Sequence, residues 1–241
     1  MPVVNATLVS EAWKQVVSLC LRSRDHQVHA LTVEIVCGNE IDDLAFRGRV
    51  NRTLVAAKKA TVDTVARTIF PIGLWNPRHP RSELFERYMK ILPKLRRYAL
   101  NRRGLYFERL INYPLEREST KVKNQLEFVI STYVEKRNHR RSALQASLYN
   151  PFIDASNSPR LGFPCLQQIG FIPTSRHDLT VLGFYPVHYI FERAYGNYLG
   201  LIHLGQFMAK EMGLNLTRVV CTTGVANFEV SASKVGTLNL P

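Results

Sequence analysis

Cysteine is scarce in this chain. Four residues in 241, Cys20, Cys37, Cys165 and Cys221, are scattered without a Cys-x-x-Cys pair. That spacing gives neither a zinc site nor a disulfide framework, and it fits reduced thiols in a cytoplasmic protein. The seven histidines show no His-Glu-x-x-His spacing, so no metal centre is expected. No apolar run approaches the roughly 20 residues needed to span a bilayer. The N-terminus also lacks a basic region followed by a continuous apolar segment, so no membrane association is expected. No Pro/Gly/Ser-rich linker, low-complexity tract or internal repeat divides the sequence, and residues 1–241 read as a single domain. Hydrophobic content of 46% is enough for a sizeable core.

Acidic residues are also few: 19, against 32 lysines and arginines, for a net charge of +13. Such a balance favours anionic partners, among them nucleic acid, a membrane surface or a phosphorylated small molecule. A solvated basic surface explains the same number equally well. The cations fall in local groups: Arg47, Arg49 and Arg52; Lys94, Arg96, Arg97, Arg102 and Arg103; Lys136, Arg137, His139, Arg140 and Arg141. Groups of this kind suit phosphate, because guanidinium matches it with paired hydrogen bonds. No helix-turn-helix or zinc-finger pattern accompanies them, which argues against a DNA-binding module.

Periodicity supplies a mixed set of elements. "VSEAWKQVVSLCLRS" has helical spacing with Ser10 as the expected N-cap. "HALTVEIVCG" is rich in β-branched residues and reads as a strand. "TLVAAKKATVDTVARTIF" reads as one helix ending at Pro71, and "PRSELFERYMKILPKLRRYA" as a helix interrupted near Pro93. "KNQLEFVISTYVEKR" puts Leu126, Val129, Ile130, Tyr133 and Val134 on one face. "SALQASLYNP" reads as a strand running into a turn. "CLQQIGFIPTSRHDLTVLGFYPVHY" reads as two strands around a polar hairpin at Ser175 to Asp178. "FERAYGNYLGLIHLGQFMAKEMG" is the longest helical candidate, closed by Gly213. "TRVVCTTGVANFEV" reads as a strand with a turn at Gly224. Without strict strand–helix alternation, the expectation is an α+β fold with a large mixed sheet flanked by helices.

In order and spacing, several of these pieces resemble thymidylate synthase and its pyrimidine hydroxymethylase relatives. "NQLEFVISTYVEKRNHRRSALQASLYNP" is similar to the family's helix, paired arginines and strand ending in Asn-Pro. "LGFPC" is similar to the strand entry that carries the catalytic cysteine. "NYLGLIHLGQFMAKEMGL" is similar to the central helix opened by a substrate-reading asparagine, and "CTTGVANFE" to the strand after it. "NRRGLYFERLIN" resembles the family's Gly-x-Tyr-Gly segment more faintly. The resemblance implies a thymidylate synthase-like fold and a one-carbon transfer to C5 of a pyrimidine nucleotide. In that chemistry Cys165 adds to C6 of the base and makes C5 nucleophilic, which requires an activated thiol. Arg140 and Arg141 are implied to hold the substrate phosphate of a partner subunit, which makes the protein a homodimer. Asn197 is implied to read a uracil-type edge, since an amide offers both donor and acceptor. The implied one-carbon donor is 5,10-methylenetetrahydrofolate.

Taken without the resemblance, Cys165 reads as a packed core thiol, Arg140 and Arg141 as a charged helix end, and Asn197 as a helix N-cap. The sequence also departs from the family's pattern. Tyr185, Pro186, Val187, His188 and Tyr189 stand where the family has Gln-Arg-Ser-x-Asp, and Arg193 is a possible substitute for the arginine. Leu166 replaces the histidine after the cysteine. Asn227 and Glu229 replace a histidine and a tyrosine that hold the ribose hydroxyl, although glutamate still accepts such a bond. Ile72 stands where a proton-transferring glutamate is expected, and only a short tail follows Glu229. Tyr185, His188, Tyr189, Glu229 and Arg193 are therefore the candidates to replace the missing polar groups. The alternative is a non-catalytic thymidylate synthase-like protein that binds a nucleotide or RNA.

Overall fold

The computed structural model describes residues 1–114, 123–136, 138–158 and 164–230. Strand β1 (Val3–Ala6) leads into helix α1 (Val9–Arg22), which buries Val9, Ala12, Trp13, Val16, Val17 and Cys20. Ser10 is not its cap. The helix begins two residues earlier than that cap implies, at Val9 after Leu8, and makes no side-chain cap bond. Strand β2 (Gln27–Val36) follows as expected. The segment read as one helix up to Pro71 is two, α2 (Leu44–Ala56) and α3 (Val62–Ile69). Lys58 sits at φ +58°, and the Thr61 hydroxyl accepts the Thr64 N–H to start α3 afresh. Helix α4 (Arg81–Leu95) is not interrupted at Pro93. That proline lies in the last turn, so the helix forfeits the intrahelical bond of one N–H just before it ends.

Helix α5 (Tyr106–Ile111) is short. Helix α6 (Gln125–Glu135) starts at Asn124, whose side chain accepts the Glu127 N–H; it buries Leu126, Val129 and Ile130 but leaves Val134 exposed. Strand β3 (Gln145–Ser147) and the single turn α7 (Pro151–Asp154) precede the hairpin of β4 (Gln168–Pro173) and β5 (Asp178–Tyr189). A π-helical turn, Ile190–Ala194, then opens α8 (Tyr195–Met212), which Gly213 closes in the left-handed conformation at φ +68°. The last strand is β6 (Asn215–Asn227).

The six strands form one mixed sheet in the order β1-β2-β6-β5-β4-β3. β1 with β2 and β5 with β6 run parallel; the other pairs are antiparallel. The architecture is α+β. Helix α8 lies against β5 and β6 and is covered in turn by α3. Gly196 permits that contact, since a Cβ there would stand 2.6 Å from the Val62 carbonyl oxygen. Half-exposed apolar side chains lie on the other side of the sheet. Val36, Ile172 and Phe184 are 42%, 43% and 36% exposed; Val36 and Ile172 lie in the row of Arg218 and Thr180, and Phe184, paired with Gln168 and Thr222, lies two same-face rows along.

Gly224 makes no turn. β6 runs through it, and β5 stays in register on both sides, Tyr185 opposite Thr223 and Val187 opposite Val225. The glycine is needed for closeness: a Cβ there would lie 2.6 Å from the Pro186 carbonyl oxygen. On the other flank, Ala30 of β2, between the partners of Thr223 and Val225, has φ +52°. The sheet is thus kinked along Ala30, Gly224 and Pro186. The kink has a consequence inside the fold. Side chains three apart in a regular strand face opposite sides, yet Tyr185 and His188 stack with ring centroids 4.0 Å apart and 6° between planes.

Candidate functional site

Cys165 is half-buried and lies in a bend before β4, which begins only at Gln168. The expectation that it stands at the entry of the strand is thus corrected by a short offset; residues 161–163 of "LGFPC" lie outside the described residues. Tyr106, the first residue of α5, holds this bend. Its hydroxyl oxygen accepts the backbone N–H groups of Cys165 and Leu166 at 3.3 and 3.4 Å, which sets it beside the thiol. Leu166 is fully buried beside them. Burial pushes the Cys165 thiol above its ordinary value, while the Arg193 cation and the Tyr106 hydroxyl oppose that shift. At neutral pH the resting group is a thiol, with two neighbours placed to favour the thiolate.

Arg193 belongs to the π-helical turn Ile190–Ala194, and that turn is held from three directions. The Trp13 indole N–H donates to the Ile190 carbonyl at 2.7 Å. The Glu229 carboxylate accepts the N–H groups of Phe191 and Glu192 at 3.0 and 3.1 Å. Lys59 pairs with Glu192 at 2.5 Å. Glu229 is therefore committed to the backbone, and burial raises its pKa. Its sequence position suggested a sugar hydroxyl; the fold gives it a cap.

Behind this group is a buried polar cluster. Asn197 is 3% exposed, and its amide lies 2.9 Å from His188 Nε2. It sits inside the helical run and makes no N-cap bond, because the π-helical turn precedes α8. His188 stacks on Tyr185 and meets Tyr198 edge to face. Tyr185 in turn is near enough to Tyr106 and Cys165 to feel their charge. The Tyr185 and Tyr198 hydroxyls, His188 Nδ1 and the Thr223 hydroxyl are all buried without a partner among the described residues. Leaving four such groups unbonded costs stability.

The cluster has a consequence for acid stability. Desolvation lowers the His188 pKa from 6.5 to about 3. Between those values the unfolded chain binds a proton that the folded chain refuses. Stability is therefore expected to fall as pH drops below 6.5, by about 1.4 kcal/mol per pH unit, with no contribution above it. Half-buried His203, lowered to about 4, acts in the same direction. Urea unfolding at pH 7 and pH 5 measures the slope, and a His188→Gln variant is expected to flatten it.

The remaining predicted residues are not gathered here. Tyr189, at the end of β5, is 42% exposed. Arg140 and Arg141 are exposed on a short 3-10 turn (Arg141–Ala143) before β3, and among the described residues no hydrogen bond or ion pair joins them to the Cys165 group. Arg137 lies outside the described residues, as does the stretch 231–241. No group of three His, Cys, Asp or Glu side chains is arranged to hold a metal among the described residues. No helix among the described residues is long and apolar enough to cross a membrane. Tyr106 was missed as a site residue; its signal in the sequence was the Gly104-Leu105-Tyr106 segment.

No protein-family profile matches the chain. Over 120 residues it is 32% identical to a protein named "putative thymidylate synthase" from Methanocaldococcus jannaschii, covering 45% of this chain and 47% of that one. The chain thus spans about half the length of the curated relative it matches. The α+β architecture with its six-stranded mixed sheet is compatible with a thymidylate synthase-like fold. The partial identity supports a distant thymidylate synthase-like relationship, without pointing to a particular member of that family.

Proposed function

We propose that this chain is a transferase that acts at C5 of a pyrimidine nucleotide through a covalent adduct of Cys165. The observation that carries the reading is the setting of the thiol: half-buried, in a bend whose N–H groups donate to the Tyr106 hydroxyl, and within the field of Arg193. A thiolate added to C6 of the base makes C5 carbanion-like and ready to attack a one-carbon donor. Tyr106 and Arg193 favour the thiolate as it forms. Asn197 orients a uracil-type base, with His188 fixing its amide. The one-carbon donor is 5,10-methylenetetrahydrofolate, a part of the reading that rests on the likeness to the named relative alone. Arg140 and Arg141, exposed and unengaged with the Cys165 group of their own chain, hold the nucleotide phosphate of a second copy.

Addition at C6 loosens the C5 proton even without a donor. Incubation with dUMP in D2O is expected to erase the base's H5 signal, and Cys165→Ser to preserve it. Retention of H5 in dUMP, UMP, dCMP and CMP alike would overturn the reading. The dimer has its own test. The sheet face bearing Val36, Ile172 and Phe184 is the proposed contact, so Phe184→Glu is expected to shift sedimentation from dimer to monomer. A monomeric unsubstituted protein would contradict the shared site.

A second reading is favoured by two observations: Glu229 is spent on capping the π-helical turn, and Ile72 stands where an acid is expected. In that reading the chain binds a nucleotide or RNA without chemistry. Binding would then weaken steeply with salt and survive Cys165→Ala unchanged.

A further inference from the structure

The bend that carries Cys165 is held from two sides, and one buried guanidinium joins them. On the first side the Tyr106 hydroxyl accepts the N–H groups of Cys165 and Leu166. On the second, the carbonyl of the next residue, Gln167, accepts the Leu148 N–H at 2.8 Å and the Tyr149 N–H at 3.3 Å. Arg109 follows Tyr106 by one turn of α5, and residues three apart on a helix are neighbours. Its Nη1 donates to the Leu148 carbonyl at 2.7 Å. The result is a closed circuit: Tyr106, the bend from Cys165 to Gln167, Leu148, Arg109, and back along α5 to Tyr106.

The guanidinium is itself fixed. Arg109 is buried, and two of its nitrogens donate to the Asp154 carboxylate, which also accepts the Asn150 N–H at 2.7 Å. The Gln125 side chain donates to the Arg109 carbonyl at 2.9 Å and bonds both backbone groups of Ser147, just before Leu148. Stability alone is a poor reason to bury such a pair. Desolvation offsets most of the attraction between two buried charges, and apolar residues of similar volume often hold a fold equally well. Apolar residues could not supply the bond from α5 to the Leu148 carbonyl. Lysine could not supply the whole set either, because only the guanidinium fork meets both carboxylate oxygens and keeps N–H groups for a carbonyl.

We propose that Arg109 is a positioning residue for Cys165: by closing this circuit it holds the Tyr106 hydroxyl against the bend that carries the thiol. It acts through Tyr106. Among the described residues, the titratable and charged groups that bear on the thiol are Arg193, Tyr106 and Tyr185. Of these, Arg193 and the Tyr106 hydroxyl favour the thiolate. The role rests on Cys165 being the reactive thiol of the proposed transfer. Alkylation of that thiol needs neither nucleotide nor folate, so a failure of the transfer and a failure of the positioning role are read separately.

The pH profile of Cys165 alkylation by iodoacetamide, followed on the full chain by peptide mapping, tests the role. Arg109→Lys is expected to move the midpoint upward by about half a pH unit or more, because the thiolate loses the Tyr106 hydroxyl; below the midpoint alkylation then slows about threefold or more. Tyr106→Phe is expected to give the same shift, and the double variant no more than either alone, as residues acting through one chain of contacts require. Arg109→Met with Asp154→Leu removes both buried charges at similar volume. It is expected to move the midpoint likewise, and it decides the point if Arg109→Lys fails to fold. A lowered urea midpoint with an unmoved alkylation profile would reduce the pair to a structural tie and overturn the proposal. Additive shifts from Arg109→Lys and Tyr106→Phe would overturn it too, since Arg109 would then act outside the circuit.

Discussion

Replacing Cys165 by serine is expected to abolish covalent addition to the pyrimidine and to cut turnover by about 10³-fold or more, a loss in keeping with removal of a nucleophile. The fold should not change, because the side chain is half-buried and the bend is held through backbone N–H groups that serine retains. Far-ultraviolet circular dichroism and the urea midpoint check the fold, and loss of H5 exchange checks the chemistry. The thiol also predicts a pH dependence. Burial raises its pKa, so alkylation by iodoacetamide should be slow at neutral pH and accelerate as pH rises. A thiol already ionised at pH 7 would contradict the dominance of burial over the opposing Arg193 and Tyr106.

The second large effect is on stability. Trp13 is fully buried, lies 5.6 Å from the Tyr195 ring and 6.0 Å from that of Phe46, and donates to the Ile190 carbonyl. Trp13→Ala is expected to cost about 3–5 kcal/mol, the range for a large aromatic removed from a core. Trp13→Phe retains most of the volume and loses the hydrogen bond, for about 1–2 kcal/mol. Urea unfolding measures both. Because that bond anchors the turn bearing Arg193, the phenylalanine variant is also expected to slow Cys165 alkylation; the cation that lowers the thiol pKa would no longer be held in place. An unchanged alkylation rate would separate the turn from the thiol.

The elements that the sequence predicted well are those whose signals are local. The hairpin at Ser175 to Asp178 is written in polar turn residues between apolar runs, and Gly213 closes α8 as a glycine in the left-handed region does. The errors occur where distant contacts override a local preference. Residues 57–60 are good helix formers, yet the chain breaks at Lys58 because α3 must start anew to pack on α8. Gly224 carries a turn signal, but its role is to let β6 approach Pro186. The kink there brings Tyr185 and His188 onto one side, which no alternation rule anticipates.

The site shows the same division. Cys165, Asn197 and Arg193 are recognisable along the chain, and the fold brings Arg193 to the thiol and Asn197 to His188. Tyr106 is 59 residues from Cys165, so no spacing could join them before the fold did. Glu229 shows the converse: its place in the sequence suggested a ligand contact, while the preceding π-helical turn needed its oxygens for two backbone N–H groups. Arg140 and Arg141 are joined to none of these groups among the described residues, although they stand close to them in the sequence pattern.

The most direct measurement is the intact mass of the protein after incubation with 5-fluoro-dUMP and 5,10-methylenetetrahydrofolate, followed by peptide mapping. Fluorine at C5 cannot leave as a proton does, so an adduct formed at C6 is trapped. The account predicts a mass increase equal to nucleotide plus one-carbon donor, located on Cys165 and absent from Cys165→Ser. An unmodified Cys165, or modification at Cys20, Cys37 or Cys221 instead, would contradict it.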